Sequence, residues 1–269
     1  MDNRPIGVFD SGLGGLTAVA ELHRTLPGED IIYFGDTGRV PYGTRSRETI
    51  LKYARQDIRF LLGQNIKAIV VACGTVSTAA LPWLEAEYAV PLIGVVQPSA
   101  AQAARVTRNG RVGLIATQAS IRSGAYGRAL RGHNSAIEVY DQPCPLLVPL
   151  VEAGRVTPGD PVTTLVLEEY LAPIRAWGAD TLILGCTHYP LLRAGIEALL
   201  PSVCLIDPGA AAADYIAAAP GWERGEKTVG GVTQYFVSDN VEGFARSSSL
   251  FLQNSMTNQV SLVDIDTIV

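Results

Sequence analysis

Short apolar runs alternate with amphipathic stretches along nearly the whole chain. The runs at residues 6–9, 30–35, 68–73, 92–96, 111–116, 137–140, 181–185 and 203–206 are rich in branched side chains and bounded by turn residues, which predicts strands. Segments between them, such as 47–63, carry apolar residues at helical spacing. Strands apolar on both faces, alternating with helices, predict an α/β fold of mostly parallel sheets flanked by helices.

The pattern also echoes itself. Residues 49–75 read as helix, short turn, buried strand, Cys73, Gly74, Thr75. Residues 162–188 read as helix, short turn, buried strand, Cys186, Thr187, His188. The two stretches are expected to be equivalent corners of two similar domains. A boundary near Gln97–Ser99 and a return near Asp207-Pro208-Gly209 divide the chain into 1–97 plus 208–269 and 98–207. In the tail, Val229-Gly230-Gly231-Val232 before Gln234-Tyr235-Phe236-Val237 reads as a hairpin completing the first domain.

Composition narrows the function classes. Of 269 residues, 48% are hydrophobic and 17% charged, enough for a substantial core and contrary to disorder. The net charge is -5 and there is no basic run, so a nucleic-acid partner is not expected. The start, Met1 to Pro5, lacks the apolar stretch of a signal peptide. No stretch reaches the roughly 18 apolar residues of a membrane span. The cysteines Cys73, Cys144, Cys186 and Cys204 are widely spaced without a CxxC, so a reducing cytoplasm is expected rather than a disulfide framework.

Candidate chemistry gathers where strands end. In open α/β sheets, ligands bind outside the carboxyl ends of the strands. Cys73 and Cys186 each close an apolar run there, beside hydroxyl or acid–base residues: Thr75 and Ser77 for one, Thr187 and His188 for the other. A thiol needs its pKa lowered, or a nearby proton acceptor, to act at neutral pH. Cys144 and Cys204 lack such neighbours and read as structural. The glycine-rich Phe9-Asp10-Ser11-Gly12-Leu13-Gly14-Gly15 is either an anion-binding turn or a tight turn capped by Asp10. As a dinucleotide fingerprint it is incomplete, because Thr17 stands where a third glycine belongs. In the loop Asp36 to Gly43, Asp36 and Tyr42 either reach a ligand or pack beneath it. Cys186-x-His188 has no further Cys/His cluster, so no metal is expected. Glu152, after an apolar stretch, reads on its own more readily as an ordinary surface carboxylate.

These segments together resemble the glutamate racemases of the aspartate/glutamate racemase family. The matching pieces are Gly7 to Gly15, Tyr33-Phe34-Gly35-Asp36, Pro41-Tyr42-Gly43, Ala72-Cys73-Gly74-Thr75, Val148-Pro149-Leu150-Val151-Glu152 and Leu184-Gly185-Cys186-Thr187-His188-Tyr189-Pro190. The resemblance implies cofactor-independent interconversion of L- and D-glutamate, supplying D-glutamate for peptidoglycan, in two pseudo-symmetric domains with the site between them. It implies that Cys73 deprotonates D-glutamate and Cys186 L-glutamate, that Asp10 and His188 assist, and that Glu152 lies nearby. Ser11, Pro41, Tyr42, Gly43, Thr75 and Thr187 are implied to line the substrate with Asp10, Cys73, Gly74, Cys186 and His188. A homodimer is common in this family. One departure stands out: the family usually has asparagine where this chain has Gly74, which bears on substrate affinity.

Inversion at a carbon needs a proton removed from one face and another returned to the opposite face, which two acid–base groups accomplish. Backbone amides at the 10–12 and 186–188 turns are candidate donors to the developing negative charge. Lys52, Lys67 and Lys227 lie away from the motifs, so no Schiff-base lysine is expected. Other readings are racemisation of aspartate, a binding protein for acidic amino acids, and a Cys/His hydrolase built on Cys186 and His188.

Overall fold

The computed structural model describes residues 1–252 and 259–268. The chain opens as β1 (Ile6–Asp10), α1 (Leu16–Thr25), β2 (Ile31–Gly35), α2 (Arg47–Leu62), β3 (Ala68–Val71), α3 (Gly74–Ala79), α4 (Leu81–Glu87) and β4 (Leu92–Gly94). It continues as α5 (Val96–Val106), β5 (Arg111–Ala116), α6 (Gln118–Ser123), α7 (Ala125–His133), β6 (Glu138–Pro143), α8 (Leu147–Glu152), α9 (Pro161–Trp177) and β7 (Thr181–Gly185). The remainder is α10 (Arg193–Leu199), β8 (Cys204–Ile206), α11 (Pro208–Ala218), β9 (Thr233–Val237), α12 (Val241–Leu252) and β10 (Val260–Leu262).

Two sheets form, one ordered β10-β9-β2-β1-β3-β4 and the other β6-β5-β7-β8. Every strand pairing is parallel. The first four strands of each unit therefore repeat one order: second, first, third, fourth. By that order β3 is equivalent to β7, and the corner after β3 to the corner after β7. The echo in the sequence is thus a repeat in topology. β9 and β10 extend only the first sheet, on its β2 edge.

The local causes are legible. β1, β2, β3 and β7 are buried at every position, as near-continuous apolar strands covered on both faces must be. Helices begin where side chains satisfy free amides: Ser46 accepts from Thr49 N, Asp160 from Thr163 N, and Asp207 from Gly209 N and Ala210 N. Pro161 and Pro208 stand at the first helical turn, where a missing N–H costs nothing. The chain leaves the first sheet through α5 and returns through α11, and these two helices pack on each other.

Several expected boundaries move. The strand expected at 68–73 ends at Val71, because Cys73 is already the N-cap residue of α3. The strand expected at 92–96 ends at Gly94, and Val96 begins α5, so residues 97–99 are helical. The strand expected at 137–140 runs on to Pro143, paired with β5 throughout. The hairpin at 229–232 does not form. Its residues are not a strand; Gly231 N instead donates to Pro27 O and Ile31 N to Val232 O, which feeds β9 in parallel beside β2. Cys144 is buried as expected of a structural thiol, whereas Cys204 is exposed at the start of β8.

Lys67, just before β3, ties the two ends of this unit together. Its ammonium lies 2.6 Å from Glu29 Oε2 and donates to Asp2 O at 2.9 Å and Glu223 O at 3.0 Å. Both charged side chains are almost wholly buried. Removing one member leaves an uncompensated buried charge, so Lys67→Ala is expected to cost about 3–5 kcal/mol in urea unfolding. A loss within about 0.5 kcal/mol, the usual range for surface changes, would show the pair to be unimportant.

Candidate active site

The first corner follows β3. Ala72 N still bonds to Phe9 O at 3.0 Å, and Cys73 O accepts from Ser77 N at 2.9 Å. The thiol is thus held between a strand end and a helix start. Cys73 Sγ lies 3.6 Å from Ser11 Oγ and is buried. Ser77 faces the sheet instead. Its hydroxyl donates to Val71 O at 2.8 Å and accepts from Val95 N at 3.3 Å, which fastens α3 to the strands.

The second corner follows β7. Cys186 N donates to Leu184 O at 2.8 Å and Tyr189 N to Cys186 O at 3.0 Å, so the chain turns sharply around the sulfur. Cys186 Sγ lies 3.8 Å from His188 Nδ1, and His188 Nε2 lies 3.1 Å from Glu152 Oε1, at the end of α8. The Phe251 ring of α12 meets the imidazole edge-on at 5.6 Å between centroids. Tyr189 anchors the turn by donating to Cys144 O at 2.9 Å.

The two corners face each other across the carboxyl ends of the sheets. Asp10 Oδ2 accepts from Gly12 N at 3.0 Å, and Oδ1 from Thr187 Oγ1 at 3.4 Å. Asp10 therefore caps the glycine turn; the N-cap position of α1 is Gly15, which has no side chain to bond. Thr17 Oγ1 lies 2.9 Å from Gly14 O and 3.0 Å from Thr187 O. Thr75 and Thr117 hydroxyls meet at 3.1 Å, and Thr78 donates to Ser120 at 3.2 Å. Two glycines make the approach sterically feasible. A Cβ at Gly14 would lie 2.2 Å from Thr187 Oγ1, and a Cβ at Gly74 would lie 2.6 Å from Gly185 O. The glycine run that resembles a nucleotide fingerprint is shaped by the second corner packing on it.

The electrostatics of the thiols differ. Burial, helped by the charge of Asp10, pushes Cys73 up to about 12, so it holds its proton in this enclosed arrangement. Burial also raises Asp10, opposed by the nearby His188 and by bonds from the glycine turn. For His188, burial alone would favour the neutral ring. The contacts with Cys186 and Glu152 outweigh it and lift the ring to about 10, so it is a cation at neutral pH. Cys186 thus sits beside a positive charge and Cys73 beside a carboxylate.

Most expected site residues converge: Asp10, Ser11, Cys73, Gly74, Thr75, Cys186, Thr187, His188 and Glu152 all belong to the two corners or touch them. Pro41 is exposed and Gly43 part-exposed on the loop between β2 and α2. Tyr42 is buried beneath that loop, with its hydroxyl turned to Asp36 and Asp57. It presents only backbone to a ligand, and Asp36, wholly buried, presents nothing. Sequence reasoning assigns no site role to Thr17, Tyr33 or Thr117, which also shape the site. Thr117 follows β5 as Ser11 follows β1, a correspondence that the shared strand order reveals.

Among the described residues, no group of three or more His, Cys, Asp or Glu side chains stands where it could hold a metal. A large cleft lies elsewhere, between α2, α4, α5 and α7, lined by Arg47, Trp83, Arg128 and His133 among others, with neither Cys73 nor Cys186 in its wall. The thiols lie where the corners close directly on each other.

Two thiols at equivalent strand ends, one beside an imidazole and the other beside a carboxylate, form a cluster of acid–base groups. Residues 7–216 match the model of the Asp/Glu/Hydantoin racemase family, and the chain belongs to that family. It is 46% identical over 270 residues to a glutamate racemase of Geobacter metallireducens, covering 96% of this chain and 97% of that one. Among solved structures, it is similar to a glutamate racemase of Francisella tularensis in complex with D-glutamate, with TM-score 0.87 and 39% identity over 99% of this chain and all of that one. A glutamate racemase isoform of Bacillus anthracis matches with TM-score 0.92 and 34% identity over 98% of each chain.

The charge on His188 carries a signed prediction. Its folded pKa is above its unfolded value near 6.5, so its contribution to stability is complete below about pH 6.5 and fades as pH rises toward 10. The stability difference between the unaltered protein and His188→Asn should shrink over that interval in urea titrations; a difference that grows would contradict the assignment. At the other corner, Gly74→Asn must push the backbone of 185 away and is expected to cost about 1–3 kcal/mol. An unchanged unfolding midpoint would mean that the corners do not seat on each other.

Proposed function

We propose that this protein interconverts L- and D-glutamate without a cofactor, with Cys73 and Cys186 acting from opposite faces of Cα. One observation carries the reading: the two thiols occupy equivalent strand ends of two sheets that share one strand order and face each other. A single base tends to return a proton to the face it left. Two opposed groups permit inversion, one taking the Cα proton while the other delivers its own. With D-glutamate the Cys73 thiolate removes the proton, the electron pair stays at Cα, and the Cys186 thiol protonates the other face. The reverse direction exchanges the roles.

The attendants divide in the same way. Asp10 and Ser11 serve Cys73, whereas His188 with Glu152 behind it serves Cys186. For Cys73 to lose its proton, the enclosed arrangement must first change, because burial holds the thiol neutral. Substrate entry between the corners provides that change: the ammonium group of glutamate adds a positive charge beside Asp10 and Cys73. The 41–43 loop, Thr75 and Thr187 hold the remaining polar groups of the substrate. Backbone amides of the two turns stabilise negative charge as it develops.

Glutamate rather than aspartate is the favoured substrate, because the similar proteins named above are glutamate racemases at 34–46% identity. The product D-glutamate would serve peptidoglycan synthesis. We assign residues 1–97 plus 208–269 to one domain and 98–207 to the other, in keeping with the two sheets. A cytoplasmic homodimer completes the reading. Among the described residues, no helix is long and apolar enough to cross a membrane.

Proton NMR of glutamate in heavy water tests the proposal. Deuterium should enter Cα with either enantiomer, and Cys73→Ala and Cys186→Ala should each lower racemisation by at least about a hundredfold, the lower bound for losing an acid–base group. Racemisation at a near-normal rate by Cys73→Ala would reject the two-thiol mechanism. An acyl-enzyme on Cys186, with no exchange, would support the hydrolase reading instead.

A further inference from the structure

Beneath the loop that carries Pro41 and Gly43 lies a buried polar cluster that the chemistry above does not use. Asp36 and Asp57 are both fully buried. Arg39 donates through Nε to Asp36 Oδ2 at 2.7 Å, through Nη2 to Asp57 Oδ1 at 3.1 Å, and through Nη1 to Gln56 Oε1 at 2.5 Å. Ser238 Oγ donates to Asp36 Oδ1 at 2.7 Å. Tyr42 donates its hydroxyl to Asp36 Oδ2, and the tyrosine oxygen also lies 3.2 Å from Asp57 Oδ2.

Counting protons orders the cluster. A tyrosine hydroxyl has one proton for two carboxyl groups, and Asp36, which also accepts from Arg39 Nε and Ser238 Oγ, is the better placed to accept it. The contact with Asp57 is then a hydrogen bond only if Asp57 supplies the proton. The charges agree: one guanidinium balances one buried carboxylate, and a second carboxylate would be unpaired. We propose that Asp57 is a positioning residue which, as a neutral acid, donates to Tyr42 and so fixes the 40–43 loop over the site. A directed chain results, from Asp57 through Tyr42 to Asp36, with Arg39 bracing both carboxyl groups. Burial, reinforced by the neighbouring Asp36, accordingly drives Asp57 far above the usual carboxylate range.

The loop so fixed spans from the glycine turn after β1 to the start of α6 after β5. Gly43 O accepts from Ala119 N of α6 at 3.2 Å, and Val40 Cγ1 lies 3.1 Å from where a Cβ on Gly12 would stand. Tyr42 is the peg between these contacts. Asp57 touches no ligand; it acts through Tyr42, and the consequence rests on the racemase reading, in which the loop holds substrate.

Steady-state kinetics of Asp57→Leu, Asp57→Asn and Tyr42→Phe test this. Asp57→Leu should raise KM for D-glutamate about tenfold with kcat within about twofold, the scale of one lost positioning hydrogen bond. Asp57→Asn, which can donate to Tyr42 and accept from Arg39 without charge, should return KM to within about twofold of the unaltered protein. Tyr42→Phe should match Asp57→Leu, and the double variant should be no worse than either, because both break one chain. An unchanged KM in Asp57→Leu would overturn the proposal. So would Asp57→Asn as impaired as Asp57→Leu, since that would mean the carboxylate charge is required. If Asp57→Leu does not fold, Tyr42→Phe decides: a normal KM refutes the chain. Absence of turnover in the unaltered protein would reject the racemase reading alone, and the same variants would then be compared by their Kd for glutamate.

Discussion

The site depends on how closely two strand-end corners approach. β3 and β7 end at equivalent places in two sheets, and the chain after each turns at once into a cysteine. Hydroxyl groups bind the corners across the gap: Thr17 to Thr187, Thr187 to Asp10, Thr75 to Thr117. Small residues let them meet. At Gly14 and Gly74 any side chain would collide with the opposite corner. Gly74, having no side chain, lets the backbone of the first corner come up against Gly185 O.

That closeness sets the electrostatics. Burial favours neutral Cys73, whereas His188, tied to Cys186 and Glu152, becomes cationic. The two thiols are equivalent by topology and unlike in their neighbours, Asp10 beside Cys73 and His188 beside Cys186. A racemase must work in both directions, so a substrate carrying both charges is a natural equaliser: its ammonium and carboxylate groups can supply to each corner what that corner lacks. The buried Asp36, Arg39 and Asp57 cluster bears on the same closeness from below, because the loop it supports reaches Ala119 on the far side.

Much of this was legible in the sequence, for identifiable reasons. The alternation of apolar runs and helical stretches specifies parallel sheets, and the repeated helix–strand–cysteine unit specifies two of them. Cys73 and Cys186 were readable because sulfur at a strand end is conspicuous. The hairpin at 229–232 was misread because Gly-Gly marks a turn without saying what lies beside it; the partner of β9 is β2, about two hundred residues away. Tyr42 leaves two readings open, since its hydroxyl turns to Asp57, a helix residue with no local signal. Thr17 looked like a defect in a glycine motif, because only the folded chain brings Thr187 beside it. Contacts between distant segments are where periodicity stops being informative.

In the proposed reaction two sulfur atoms address one carbon from opposite sides. A crystal structure of this protein with D-glutamate bound measures that directly. The account predicts Cys73 Sγ and Cys186 Sγ on opposite faces of Cα, each about 3.5 Å away, the separation of reacting atoms poised for transfer. Both sulfurs on one face, or either more than about 10 Å from Cα, beyond any near-attack geometry, would contradict it.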